Sequence, residues 1–189
     1  MNENVLLMRK AKQQLQGKWV NVAIAALIYY AIMGIAGATY LLEFLVGGPL
    51  MFGFFLYLAC IVDTNNSNYN LLFKGFERFV DTMVAGLLYS LAVTVGTLLL
   101  IVPGIIVACG LSMTFLIMVD DPNISGVDAL SQSWNMMKGH KWEFFCLMFR
   151  FIGWILLAIL TCGVGFLFLT PYMMTTQLNY FRKLRYGTF

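Results

Sequence analysis

Charge is what this sequence has least of. Only 11% of its 189 residues are charged and 60% are hydrophobic, whereas a soluble domain carries about 25% charged residues. That leaves too little polar surface to coat a water-soluble globule, so the surplus apolar surface is expected to face lipid. Histidine is nearly absent too. With His140 alone, a histidine-based metal centre or a His-dependent triad has little to stand on. Cys60, Cys109, Cys146 and Cys162 are scattered singly. None forms a CxxC pair, and at least three lie in apolar runs, where cysteine behaves as a small hydrophobe. No G-x-S-x-G, HExxH, P-loop or pair of intramembrane carboxylates occurs. Gly163-Val164-Gly165 lacks the downstream glycine and the βαβ setting of a dinucleotide site. Asp120-Asp121 stands beside Pro122-Asn123, which reads as a turn, and the loop lacks the further carboxylates a hard cation wants. No enzymatic chemistry, cofactor, metal or nucleic-acid partner is expected.

What is present is a series of long apolar runs, continuous rather than alternating, which points to helices and away from a transmembrane β-barrel. Val20 to Leu42 is the first span, long enough at ~1.5 Å per residue to cross a ~30 Å core. Leu50–Val62, Met83–Val102, Ile105–Val119, Phe144–Leu160 and Phe166–Tyr180 follow, the last expected to kink at Pro171. Three turns join them in pairs: Gly47-Gly48-Pro49, Pro103-Gly104, and Gly163 with Gly165. Met83 to Val119 as a single helix would measure about 55 Å, too long for one crossing. The polar, basic start of the chain is too long for a cleavable signal peptide, and the first span is expected to serve as an uncleaved anchor.

An amphipathic segment precedes each odd-numbered span, at residues 4–16, 70–80 and 125–138. The first sets Val5, Leu6, Met8 and Leu15 against Arg9, Lys10, Lys12 and Lys18, a pattern suited to an anionic leaflet or to a solvated lead-in. In the third, Ser125 is placed to N-cap, Asp128 holds the capping-box position, and Gly139 marks the stop. Gly17-Lys18-Trp19, Lys74-Gly75-Phe76 and Gly139-His140-Lys141-Trp142 each combine glycine, cation and aromatic before an odd span. The fold class expected is therefore all-α and polytopic: one integral membrane domain of six transmembrane helices as three hairpins, each on a cytoplasmic amphipathic foot. The repeat-like units run over about 4–62, 70–119 and 125–181, either as true repeats around a pseudo-threefold axis or as the shared needs of any hairpin protein. Small-xxx-small pairs, Gly34 with Ala38 and Ala108 with Ser112, suit close helix contact. Eleven of the twelve cations fall on the face shared by both termini and the 63–81 and 120–142 loops. By the positive-inside rule that face is cytoplasmic.

The stretch SQSWNMMKGHKWEFF, followed by FIGWILLAILTCGVGFLFLTPYMMTT, resembles the bacterial integral membrane family catalogued as domain of unknown function 975. Members show a similar Ser-rich helix ending in M-K-G-x-K, then F-I-G-W, a G-x-G turn and P-Y. LLLIVPGII at 98–106 and RKAKQQLQGKW at 9–19 also look like family blocks. The resemblance implies a plasma-membrane protein, often of Gram-positive bacteria, with no established biochemical function. Arg150 departs from the small polar residue usual before F-I-G-W.

Two constellations invite a functional reading. Arg150, the only cation within a span, either snorkels or pairs with Glu143, or else contacts a ligand. With Tyr172, Thr175, Thr176 and Gln177 of the sixth span it could line a polar cavity, although such hydroxyls and amides also stitch helices together. Lys10, Lys12, Lys18, Lys74, Arg78, Lys138 and Lys141 are the candidate contacts to anionic lipid headgroups of the inner leaflet. The expected function is a lipid- or partner-interacting accessory, assembly or protective factor, with a second copy or another membrane protein as further partner classes. The alternative is a small transporter or channel.

Overall fold

The computed structural model describes residues 3–36, 40–64, 67–161 and 163–187, which form ten α-helices and one 3₁₀ segment, with no strand among them. Ala38, Cys162 and the side chain of Glu43 lie outside the described residues. The first amphipathic segment is α1 (Glu3–Leu15), which buries Leu7, Ala11 and Leu15. Gly17, at φ 76°, then turns the chain, as only glycine does without strain. α2 (Trp19–Ala36) leaves with the axis bent by 97°.

α3 (Tyr40–Thr64) corrects the first expected turn. It runs unbroken through Gly47-Gly48-Pro49, so these residues lie inside a helix. The glycines there serve packing. A Cβ on Gly48 would run into the backbone of Thr82, and one on Gly53 into that of Leu72. The second amphipathic segment is likewise not an α-helix but a 3₁₀ segment (Tyr69–Phe76), N-capped by Asn68 and laid along α3. Its Gly75 is no hinge of positive φ; it is buried where a Cβ would meet the Pro49 carbonyl.

α4 (Phe79–Leu99) and α5 (Ile101–Leu111) fold back on each other through one extended residue, Leu100 at φ −169°, ψ 149°. The expected break at Pro103-Gly104 thus moves back to Leu100. Pro103 sits in the first turn of α5, where helical N–H groups have no partner anyway, and Gly104 lets the two helices touch at Thr97. The bend leaves Leu100 satisfied: its N–H donates to the Gly96 carbonyl at 3.2 Å and its carbonyl accepts from Gly104 N–H at 3.3 Å. No polar side chain occurs from Leu98 to Ala108, and Leu98 to Val102 are 65–81% exposed.

The expected fourth and fifth spans are each broken. α5 gives way to α6 (Thr114–Asp120) at Ser112-Met113, and α8 (Lys141–Phe149) to α9 (Ile152–Leu160) at Arg150-Phe151. The first break is repaired from outside. Ser133 Oγ accepts from Met113 N–H at 3.2 Å and donates to the Gly110 carbonyl at 2.9 Å, while Gln177 Nε2 donates to the Ser112 carbonyl at 2.7 Å. Ser133 belongs to α7 (Gly126–Met136), which starts as expected: Ser125 Oγ accepts from Asp128 N–H at 3.2 Å. Gly139, at φ 83°, follows its end. α10 (Phe166–Tyr186) is continuous through Pro171 and outruns the expected sixth span.

Four stretches are long and apolar enough to cross a membrane: Leu45–Thr64, Phe79–Leu99, Ile101–Asp120 and Lys141–Leu160; α1 with α2 passes as a bent pair. α10, with its polar stripe and Arg182, Lys183 and Arg185, is not among them. Each amphipathic segment packs part of its apolar surface on the protein, the 3₁₀ segment on α3, α7 on α4 and α6, and α1 on α10, while Leu6, Phe73, Phe76 and Val127 stay exposed. Three further contacts close the arrangement, α3 with α4, α5 with α8, and α10 with α2. In the last, Trp19 reaches both Phe168 and Tyr172 at 6.4 Å between ring centres.

Gly47 and Gly48 look interchangeable in the sequence and are not so in the fold. Beside Gly47 the nearest atom to an added Cβ is the flexible end of Met33 at 3.8 Å, whereas at Gly48 backbone is in the way. Gly48→Ala should destabilise by about 1–3 kcal/mol, as overpacking does. Gly47→Ala should be neutral or stabilising by up to about 1 kcal/mol. Thermal melts of the two purified variants in detergent check the ordering.

Candidate functional site

α10 carries a polar face that the rest of the chain closes around. Thr175 and Thr176 are completely buried and Asn179 is 2% exposed. Thr176 Oγ1 donates to the Tyr172 carbonyl at 2.8 Å, Tyr172 OH to the Met8 carbonyl at 3.2 Å, and Asn179 Nδ2 to Gln14 Oε1 at 2.8 Å. Thr170 and Tyr30 share a hydrogen bond. These groups and Gln177 point to more than one side of α10 and stitch it to α1, to α2 and to the α5–α6 break. Arg150 stays apart from it, exposed at the C-cap of α8. The expected pairing of Arg150 with Glu143 is not made. Glu143 instead binds Lys183 at 2.9 Å, accepts from Tyr180 OH at 3.2 Å and meets His140 at 3.4 Å.

At its C-terminal end, α10 gathers carboxylates from four elements. Arg182 pairs with Asp63 at the end of α3 and Arg185 with Asp120 at the end of α6, each at 2.7 Å. Lys183 bridges Glu3 of α1 at 2.8 Å and Glu143 of α8 at 2.9 Å. Partial burial pulls the Lys183 pKa down, but the two carboxylates outweigh it and hold it above the ordinary lysine value. Its stabilising share is therefore complete at neutral pH and lost only as pH rises through that raised pKa. Sequence reading missed this clasp. Its only signal was a carboxylate, Asp63 or Asp120, closing each of two units opposite a run of cations.

The candidate headgroup cations differ in what surrounds them. Lys18 Nζ donates to the Ile61 carbonyl at 2.7 Å, and Arg78 bonds the Ile124 carbonyl and Asp81, so both are engaged within the protein. Lys141 lies over the Trp134 ring, 3.0 Å from its centre. Lys10 is half-buried, while Lys12, Lys74 and Lys138 are exposed. Among the described residues no group of three or more His, Cys, Asp or Glu is arranged to hold a metal ion.

The clasp predicts a graded response. Glu143→Gln should cost about 1.5–3 kcal/mol, because it weakens several charge-assisted bonds around a partly buried Lys183. Asp63→Asn, at a carboxylate 51% exposed, should cost under about 1 kcal/mol. Melting temperatures in detergent rank the two, and an equal cost would mean that the Glu143 cluster has no special role.

No curated protein and no solved structure matches the chain. A family model does, over residues 91–187, just over half of the chain, and its description is a protein of unknown function. The matched residues take in the LLLIVPGII bend, the Ser133 repair, the Gly139 stop, Arg150 and the whole polar face of α10, while the 9–19 block lies outside them. This chain belongs to the DUF975 family.

Proposed function

We propose that this is an integral plasma-membrane protein of six spans in three hairpins, with both termini cytoplasmic. It has no enzymatic chemistry and acts as an accessory, assembly or protective factor whose basic face engages anionic lipid of the inner leaflet. The observation that carries this reading is the separation of charge from apolar surface. The clasp draws the start of α1, the ends of α3, α6 and α10 and the start of α8 to one place, whereas the α4–α5 bend and the α9 end expose Leu98–Val102 and Leu156, Leu157, Ile159 and Leu160. Exposed apolar surface of that extent marks a membrane or partner surface. α10 serves as the sixth span with its polar stripe turned inward, where a crossing helix need not be apolar. A membrane protein or a second copy of the chain would dock on what lipid leaves uncovered.

The transporter alternative has one observation in its favour: Thr175 Oγ1 and Asn179 Oδ1 are buried without a hydrogen-bond partner. Against it, Tyr172, Thr176 and Gln177 are already bonded to backbone carbonyls, which favours stitching over a water-filled path.

Replacing Lys10, Lys12, Lys74 and Lys138 together by Gln should lower co-purified anionic lipid, since each such cation contributes about 1 kcal/mol near a charged surface. Zwitterionic lipid should be unchanged. A reporter fused after Phe189 should read cytoplasmic, and a cysteine at Gly163 should label from outside. Retention equal to the parent's would sink the lipid reading, and labelling of Gly163 from the cytoplasmic side would remove the sixth span.

A further inference from the structure

The three contacts between successive units are not alike. At α3–α4, Gly48 meets Thr82 and Gly86 so closely that no side chain fits between them. The other two junctions open into clefts. One, between α5 and α8, is about 360 Å³, with Ile105, Ile106 and Cys109 facing Trp142 and Phe145, and Lys141 among its walls. The other, between the α1–α2 corner, α9 and α10, is about 410 Å³, with Trp19, Trp154, Leu157 and Phe168 as walls and Lys12 in its lining. Both volumes fall within the ~300–1,000 Å³ of small-molecule sites.

The same combination of an apolar slot, a tryptophan from the start of a unit's first helix and a lysine thus occurs at two equivalent junctions. The lysine comes from a different place in each: Lys141 adjoins its tryptophan, while Lys12 lies on α1. Neither makes a carboxylate ion pair among the described residues, whereas Arg78, Arg182, Lys183 and Arg185 all do. A cation beside an apolar slot is complementary to an anion that carries a hydrocarbon chain. Tryptophan is the side chain favoured at the level where such a molecule's headgroup meets its tails.

We propose that each of these two clefts holds an acyl chain of an anionic phospholipid, its phosphate resting on Lys12 in one and on Lys141 in the other. The α3–α4 junction, closed by glycine, holds none. This rests on the membrane reading above and adds to it two places, a number and a ligand class.

Native mass spectrometry of the full chain in detergent, titrated with phosphatidylglycerol or with phosphatidylcholine of the same chains, tests it. Two phosphatidylglycerol molecules should remain bound at concentrations where phosphatidylcholine is lost. Lys12→Gln and Lys141→Gln should each weaken one of them about fivefold. Leu157→Trp and Ile105→Trp add bulk at exposed wall positions (56% and 40%), and each should abolish one binding event with every lysine in place. If both filled variants bind as many phosphatidylglycerol molecules as the parent, the clefts are not the sites. The same holds if the double lysine variant does so. Should the fourfold lysine variant lose anionic lipid while the filled variants keep both molecules, the basic-face reading stands and the clefts fall. A parent without preference for phosphatidylglycerol overturns both.

Discussion

The arrangement depends on the polar groups spread around α10. A chain with so little charge has few ways to fix helices against one another in lipid, where apolar contact alone does not choose one partner over another. Here one helix supplies hydrogen-bonding groups along most of its length. Tyr172 and Asn179 hold α1, Thr170 holds Tyr30 of α2, Gln177 holds the α5–α6 break and Tyr180 holds α8. The cations beyond it then pair with α3 and α6. Because several of these groups are buried, loss of any one leaves an unpaired partner behind, which costs more than the bond itself contributes. The helix is fixed by its surroundings on every side.

The same economy explains how the chain tolerates broken helices. A helix interrupted in hydrocarbon leaves N–H and C=O groups that water cannot reach, and each must find a partner within the protein. At Ser112-Met113 the partners are Ser133 and Gln177, drawn from two other helices. The break is thereby a joint: it ties α6 to α7 and α10 at a point an unbroken helix would have passed by. At Leu100 the backbone satisfies itself within the bend. One interruption connects elements, and the other simply reverses direction.

How far the sequence could be read depended on what its glycines were for. Gly17 and Gly139 stand where amphipathic helices end, and both adopt positive φ. The Ser125 cap and the limits of α1 and α7 were legible for the same reason, since caps and stops are written locally. Gly48, Gly53 and Gly75 are glycine because another backbone lies against them. That requirement comes from residues far along the chain, so Gly47-Gly48-Pro49 looked like a turn and is the middle of a helix. Pro103 misled in a related way, since proline belongs in a first turn as readily as in a break. The polar stripe on α10 was visible; its partners were not, because Met8, Gln14 and Ser112 are defined only by the fold. Glu143 was noticed and given to Arg150, its neighbour on the same helix, when the stronger claim came from Lys183.

The bend at Leu100 has a consequence for how the protein meets its surroundings. From Asp81 to Leu100 is about 28 Å of helix at 1.5 Å per residue, close to the thickness of a hydrocarbon core of ~30 Å. The tip presents leucines, isoleucine and valine, together with a backbone whose turning residue is already bonded. Such a tip suits acyl chains better than water. From Leu98 to Ala108 the tip offers a polar partner no hydrogen-bonding side chain to hold.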